Sequence, residues 1–167
     1  TNRLFSKEMF GGAIWDTGCY PITFTNIFLK IFGLRFLNHK SMVKKKILIG
    51  STNVDMESEL NFYHDDIKIK LKTSLINKLQ NSIVIKFSEG YAEISNLLNI
   101  GELVNINLNI NNKNLQYKLT SNLNIIQTLK NEILKSLNNK QGYVFSFPLV
   151  NNMETLENIK ILEKWKN

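Results

Sequence analysis

Apolar residues recur at three- and four-residue steps over the first third of the chain, and this spacing predicts a helix over Phe10–Phe32. Its periodic positions are Ile14, Cys19, Ile22, Ile27, Phe28, Ile31 and Phe32. Pro21 has no backbone donor, so we expect the helix to kink there or to break near Thr17. Gly33 follows the last periodic residue and is expected to end the helix.

The period then changes to two, which predicts β-strands. Residues 45–49 form the first predicted strand. The second has an apolar face made of Val54, Met56, Ser58, Leu60 and Phe62. Its polar face is predicted to carry Asp55, Glu57, Glu59, Asn61 and Tyr63. After a turn at residues 64–66, residues 67–72 return as a strand whose lysines could pair with these acidic side chains.

Two more hairpins and two more helices complete the predicted elements. The hairpin turns lie at residues 88–90 and 111–113, and helical spacing returns over residues 122–137. Asn151 is predicted to cap a last helix, with Glu154 as its capping-box partner. The inward stripe of this helix is predicted to be Leu156, Ile159, Leu162 and Trp165. The order of elements predicts an α+β fold, a largely antiparallel open β-sheet with helices packed on one face.

Length and composition indicate one globular domain over residues 1–167, with 43% hydrophobic and 21% charged residues. A single cysteine, Cys19, excludes an internal disulfide and favours a reducing, cytoplasmic location. Together with two scattered histidines it is too little for a tetrahedral metal site, so no metal is expected.

The net charge of +7 raises the question of an anionic partner. The lysines are spread along the chain and are not interleaved with exposed aromatics, so neither a nucleic acid nor a membrane surface is the expected partner. The apolar run from Ile22 to Phe32 is too short to span a membrane, and it contains Asn26 and Lys30.

Polar chemistry is set into the apolar helix pattern in the run Gly-Gly-Ala-Ile-Trp-Asp-Thr-Gly-Cys-Tyr-Pro, residues 11–21. Asp16 and Tyr20 are spaced i, i+4, so on a helix both could act on one ligand. Taken alone, Tyr20 is interpreted as a residue at the edge of the core, and Asp16 as a first-turn acid that meets the helix dipole. Cys19 is interpreted as a small buried hydrophobe, and Trp15 either lines a binding site or packs.

This run resembles the start of the C-terminal domain of the glucose–fructose oxidoreductase, inositol dehydrogenase and rhizopine-catabolism (Gfo/Idh/MocA) family. Its members carry Gly-Gly-Gly-Ala-x-x-Asp-x-Gly-x-His/Tyr here, with Phe10 replacing the first glycine in this chain. The segment from Val54-Asp55, the hairpin at residues 88–94 and the stretch from residue 148 to 158 also look similar to that domain.

The resemblance implies an NAD(P)-dependent oxidoreductase that acts on a sugar, a polyol or a related carbonyl or hydroxyl compound. By this analogy Tyr20 and Asp16 are the catalytic residues, and Trp15, Asp16 and Tyr20 contact the substrate. Gly11 and Gly12 are the positions that would approach the cofactor. NAD or NADP would be bound mainly by a Rossmann domain, and the catalytic lysine would come from the same missing half.

The start of the chain and the resemblance together lead to further expectations about the whole protein. The chain begins at Thr1 without an initiator methionine, so we expect it to be a piece of a longer protein and to be inactive alone. It is expected to form a homo-oligomer through its open sheet face. A scaffold domain without catalysis, derived from the same family, is the alternative.

Overall fold

The computed structural model describes residues 2–31, 33–34, 44–64, 67–95, 103–120, 130–131, 133–135, 138 and 152–167. The chain divides into two compact units, one made of residues 1–78 and 143–167 and the other of residues 79–142. Among the described residues, the first unit contains a short 3-10 helix, three α-helices and a three-stranded sheet, and the second contains a four-stranded sheet. The prediction of a single domain over residues 1–167 stays a prediction.

The first unit opens with a 3-10 helix at Arg3–Phe5, which is followed by helix α1 at Ala13–Thr17 and helix α2 at Cys19–Ile31. The expected break near Thr17 is confirmed, because α1 and α2 are separate and Gly18 lies between them. Pro21 falls in the first turn of α2, where a missing amide hydrogen costs little.

The sequence predicted the end of this helix correctly but not its start. The predicted start at Phe10 is wrong, because the backbone at Phe10 and Gly12 has positive φ angles, which a right-handed helix does not allow. The predicted stop is confirmed. Gly33 has a φ of +72°, its amide donates to the Lys30 carbonyl at 2.9 Å, and the Leu34 amide donates to the Leu29 carbonyl at 2.8 Å. These two bonds satisfy carbonyls at the end of α2.

Strands β1 (Lys44–Ile49), β2 (Asp55–His64) and β3 (Ile67–Ser74) form an antiparallel sheet in the order β1-β2-β3. One face of this sheet packs against helices, as predicted. The buried cluster between them consists of Ile14, Ile22, Leu29, Leu60, Phe62, Leu71, Ile161, Leu162 and Trp165. The packing of helices on one face of an antiparallel sheet confirms the predicted fold class.

The outer face of this sheet carries the cross-strand ion pairs that the sequence predicted. Glu57 lies 3.1 Å from the Lys72 ammonium, and Glu59 lies 2.8 Å from that of Lys70. Hydrogen bonds from Asn77 and Lys72 lower the pKa of the Glu57 carboxyl. Bonds from Lys70 and Asn61 lower the pKa of Glu59 in the same way.

The second unit contains β4 (Ser82–Phe87), β5 (Gly90–Ser95), β6 (Leu103–Ile110) and β7 (Lys113–Thr120), which form an antiparallel sheet in that order. Both predicted hairpins are confirmed: two-residue loops join β4 to β5 and β6 to β7. Asn111 and Asn112 have φ angles of 50° and 63°, which is typical of the type I′ turn that this loop length favours.

The last helix, α3, covers Asn152–Lys166, and its buried face differs from the predicted one. Leu162 and Trp165 are buried as predicted, but Leu156 and Ile159 are exposed. Asn158 and Ile161 take their place. The buried face is rotated because the amide of Asn158 bonds to α2, and periodicity of apolar residues alone does not register such a polar contact.

Other predictions fall partly or wholly outside the described residues. The predicted helix over residues 122–137 is helical at the described positions 130–131 and 133–135, and position 138 is helical as well. The cap at Asn151 and the turn residues Asp65 and Asp66 lie outside the described residues.

Candidate functional site

The glycine pair of the candidate motif is buried against the chain's own backbone and side chains. A Cβ at Gly11 would lie 2.5 Å from the carbonyl oxygens of Arg3 and Leu4. Gly12 has a φ of +115°, and a Cβ there would collide with the carboxylate of Asp55. Both positions therefore require glycine for packing. A contact of Gly11 or Gly12 with a cofactor stays a prediction.

Phe10, which replaces the first glycine of the family motif, keeps a backbone conformation that suits glycine. Its φ is +53° and its side chain is 75% exposed. A bulky residue in this left-handed region costs about 1–2 kcal/mol.

Asp55 is the first residue of β2, and its position overturns the prediction that it lies on the polar outer face. It is 0% exposed. Its Oδ2 accepts a 2.6 Å hydrogen bond from the Ile14 amide, and its Oδ1 contacts the Lys166 ammonium. A register shift in the β1–β2 pairing between Leu48 and Ile49 lies next to it, and such an irregularity re-aims a side chain.

Threonines fix α1 on the neighbouring strand of the same sheet. The Thr73 hydroxyl on β3 donates to the Ala13 carbonyl at 3.1 Å, and the Thr17 hydroxyl donates to the same oxygen at 3.0 Å. The two hydroxyls also contact each other. Helix α1 is therefore held by polar bonds from both β2 and β3, which sets the place of the residues it carries.

Asp16 lies on α1 and forms an ion pair with Arg3. The Arg3 Nη2 atom donates to the Asp16 Oδ1 atom at 2.5 Å, and the Asp16 side chain is 23% exposed. A guanidinium has five donors, so this bond leaves Arg3 able to bind a second acceptor beside Asp16. The structure thus places a cation next to the predicted catalytic carboxylate.

Tyr20 and Trp15 occupy different environments. Tyr20 lies in the first turn of α2 and is 48% exposed, so its phenol is accessible. Trp15 on α1 is partly buried and packs against the hydrophobic core, which supports the packing interpretation of this residue. Asp16 and Tyr20 lie on two successive helices and not on the single helix that was predicted.

Cys19 follows the break between these helices and packs against the core as a partly buried side chain. Burial raises the pKa of its thiol. A thiol with a raised pKa is a weak nucleophile at neutral pH, which agrees with its interpretation as a small hydrophobe.

Sequence reasoning did not assign Asp55, Lys166 or Arg3 to the site. Asp55 was placed on the wrong face because it follows the alternation of β2 in sequence. Lys166 lies 111 positions away from it, and local spacing carries no signal for such a contact.

The described part of the chain offers no candidate metal site and no helix that could span a membrane. No group of three or more histidine, cysteine, aspartate or glutamate side chains there is arranged to hold a metal ion. None of the helices described has the length and apolar character needed to cross a bilayer.

Known structures share the fold of this chain, but no known family model or curated protein matches its sequence. The 3-ketoreductase KijD10 from Actinomadura kijaniata, solved in an open conformation with TDP-benzene and NADP, is similar with a TM-score of 0.69 at 12% identity. That match covers 92% of this chain and 46% of the reductase.

A second similar structure is the dehydrogenase MviM from Clostridium difficile. Its TM-score is 0.60 at 13% identity, and the match covers 89% of this chain and 45% of the dehydrogenase. Both proteins are members of the Gfo/Idh/MocA family, so the resemblance seen in the sequence is confirmed at the level of the fold. The chain spans slightly less than half the length of each of these two proteins.

Proposed function

We propose that this chain is the substrate-binding and oligomerisation half of an NAD(P)-dependent oxidoreductase that acts on a sugar, a polyol or a related compound. The proposal is supported by the fold shared with a 3-ketoreductase solved with NADP and with a dehydrogenase. The remaining half would supply the dinucleotide-binding domain. We infer a cytoplasmic location from the single cysteine.

The observation that carries this proposal is the arrangement around the start of α2. An accessible phenol, Tyr20, follows the carboxylate of Asp16 by four residues, and Arg3 pairs with that carboxylate. Polar bonds from the sheet anchor this segment, while its functional groups still reach solvent. A rigid support under accessible polar groups is what a binding site requires.

Each residue has a distinct proposed role. A bound nicotinamide cofactor supplies the site with a hydride donor or acceptor. Tyr20 gives a proton to the substrate oxygen or accepts one from it, beside the catalytic lysine that the other half would supply. Asp16 accepts a hydrogen bond from a substrate hydroxyl and thereby orients it. Trp15 supports the site from the core side and could present its open edge to the substrate.

The test of this assignment is Tyr20→Phe in the protein that carries this chain together with its dinucleotide-binding domain. Because general acid–base catalysis contributes about 10²–10⁴-fold, we expect kcat to fall by about that factor, with the Kd for NADH or NADPH unchanged. Turnover would be measured on a panel of sugars, polyols and nucleotide-linked sugars.

A matched control is Tyr63→Phe, which removes the hydroxyl of a similarly exposed tyrosine on the three-stranded sheet. This control should leave kcat within about twofold of the unmodified protein, since surface changes rarely reach the chemistry. Unchanged turnover in Tyr20→Phe would contradict the catalytic role of the phenol.

Two simpler measurements test whether the other half of the protein, and not this chain, binds the cofactor. The coding DNA immediately upstream of the Thr1 codon should encode a strand, Gly-x-Gly-x-x-Gly and a helix in frame. The chain alone should show no binding in a fluorescence titration with NADH or NADPH. Tight binding by the chain alone would contradict the assignment of the cofactor to the other half.

A scaffold domain without catalysis is the second candidate, and one observation favours it. On the four-stranded sheet, Ile110, Leu115 and Tyr117 share one face and are exposed, so this face could pair with a second copy. Light scattering on the chain alone would then report an oligomer. Oligomerisation together with no turnover of any compound in the panel by the complete protein would favour the scaffold.

A further inference from the structure

The carboxylate of Asp55 connects three separate parts of the first unit. It begins β2, it accepts the amide hydrogen of Ile14 on α1, and it contacts the ammonium of Lys166 at the end of α3. Both of its oxygens are thereby used. No solvent reaches the side chain, while Lys166 keeps about a quarter of its own side chain exposed.

Burial makes this arrangement sensitive to the loss of either partner. An ionised carboxylate without a cation is costly inside a protein, so the carboxylate depends on Lys166. The site also depends on Gly12, because a Cβ at that position would occupy the place of the Asp55 Oδ1 atom. The glycine of the motif and the aspartate of the strand are therefore complementary in shape.

The bond to Ile14 acts directly on the segment that carries the proposed site. The Ile14 amide belongs to the first turn of α1, and the Asp16 amide closes that turn on the Gly12 carbonyl at 3.1 Å. Fixing the amide of Ile14 therefore fixes the direction in which the next two side chains, Trp15 and Asp16, leave the helix.

We infer that Asp55 is a positioning residue for the proposed site, and that its contact with Lys166 holds its carboxylate in place. The pair holds the start of α1 so that the Asp16 side chain meets Arg3 in a fixed geometry. This inference rests on the proposed function only in treating Asp16 as a functional group. The structural coupling itself does not require catalysis.

The test uses the whole chain without substrate and compares four variants. Asp55→Asn keeps an acceptor for Ile14 but removes the charge, and Lys166→Met removes the cation. Glu59→Gln is the control on the same strand, where the carboxylate is ion-paired on the outer face. Lys164→Met is the control on the same helix, where the side chain is exposed.

Amide hydrogen exchange and the carboxyl resonance of Asp16 are the two readouts. In Asp55→Asn and Lys166→Met, exchange at Ile14 and Asp16 should rise about tenfold more than at Ile22 and Leu29, since a hydrogen bond to a charged group is worth more than a neutral one. The Asp16 carboxyl resonance should shift in the same two variants. Both controls should change exchange at Ile14 by less than about twofold.

A uniform rise in exchange over α1 and α2 would overturn the inference, because it would show a general loss of stability. Unchanged exchange at Ile14, or an unmoved Asp16 resonance, would overturn it as well. If Asp55→Asn does not fold, Lys166→Met decides by the same criteria. These readouts do not depend on turnover. If the proposed function is wrong, the turnover test of Tyr20→Phe will show it, and the exchange and resonance results will still test the role of Asp55.

Discussion

The two sheets of this protein are built from equally regular strands but differ in what their faces meet. The three-stranded sheet packs one face on α1, α2 and α3 and buries Leu60, Phe62 and Leu71. Among the described residues of the four-stranded sheet only Ala92 is buried to that degree. Tyr117 and Leu115, on its apolar face, are about half exposed.

The sheets differ even more in their buried polar groups. On the three-stranded sheet Asp55, Ser58 and Thr73 are buried, and each bonds to a helix: Asp55 and Thr73 to α1, and Ser58 to α3. On the described residues of the four-stranded sheet the polar positions are not buried. Alternation of apolar residues accounts for the formation of both sheets. The positions at which helices attach to the three-stranded sheet are determined by a few buried polar hydrogen bonds.

The largest effect on this comparison is expected from Trp165→Ala. Trp165 is fully buried, and its indole donates to the Ser58 hydroxyl at 2.7 Å. Removing it should lower the free energy of unfolding by about 3–5 kcal/mol, through the cavity and the lost bond. Urea denaturation followed by circular dichroism measures this. Tyr117→Ala, on the exposed face of the other sheet, should cost about 1 kcal/mol or less.

Equal losses in these two variants would show that the exposed face of the four-stranded sheet is as tightly packed as the core of the first unit. That result would remove the contrast between the sheets.

A smaller, local effect is expected from Gly90→Ala in the four-stranded sheet. Gly90 has a φ of +155°, and a Cβ there would collide with the Asn109 carbonyl on the neighbouring strand. We expect a loss of about 3 kcal/mol, expressed as faster amide exchange in β5 and β6. The control is Gly33→Ala, where a Cβ meets no atom of the described residues within 4 Å.

Gly33→Ala carries only the cost of its left-handed backbone, about 1–2 kcal/mol, because its φ is +72°. Faster exchange in the three-stranded sheet of Gly90→Ala would contradict a local effect.

The smallest expected effect is a pH dependence of the unfolding free energy, caused by carboxylates on the outer face of the three-stranded sheet. The pKa values of Glu57 and Glu59 are lowered in the folded chain by Lys72, Lys70 and their amide neighbours. A lowered pKa means that the two carboxylates stabilise the fold above the ordinary value of 4.5, and that this contribution disappears as the pH falls through the lower folded value.

The unfolding free energy of the double variant Glu57→Gln/Glu59→Gln should therefore be lower than that of the unmodified chain at pH 7, and the gap should close between about pH 5 and pH 3. Both side chains reach solvent, so added salt should shrink the gap as well. A gap that stays constant over this range would contradict the assignment.

Predictions from the sequence were correct where a feature depends on neighbouring residues and wrong where it depends on residues remote in sequence. Alternation located the three hairpins, and glycine located the end of α2, because both depend on neighbouring residues. Asp55 was predicted on the outer face and lies inside. Its burial depends on Lys166, which is remote in sequence.

The same reasoning applies to α3. Leu156 and Ile159 were predicted to face inward and are exposed, while the amide of Asn158 is buried against Asn26 and Thr23 of α2. Of the predicted site, the structure brings Asp16 next to Arg3 and leaves Tyr20 accessible; their catalytic roles stay predictions. Polar contacts between distant residues were the part that local patterns did not reveal.

The packing of the glycine motif bears on how such proteins are traced through evolution. Gly11, Gly12 and Gly18 each face atoms of the same chain, so selection for folding alone would preserve them. A chain with this fold would keep these three glycines whatever its function. In a newly found sequence, these glycines would therefore report the backbone architecture of this segment, whether or not a catalytic site accompanies it.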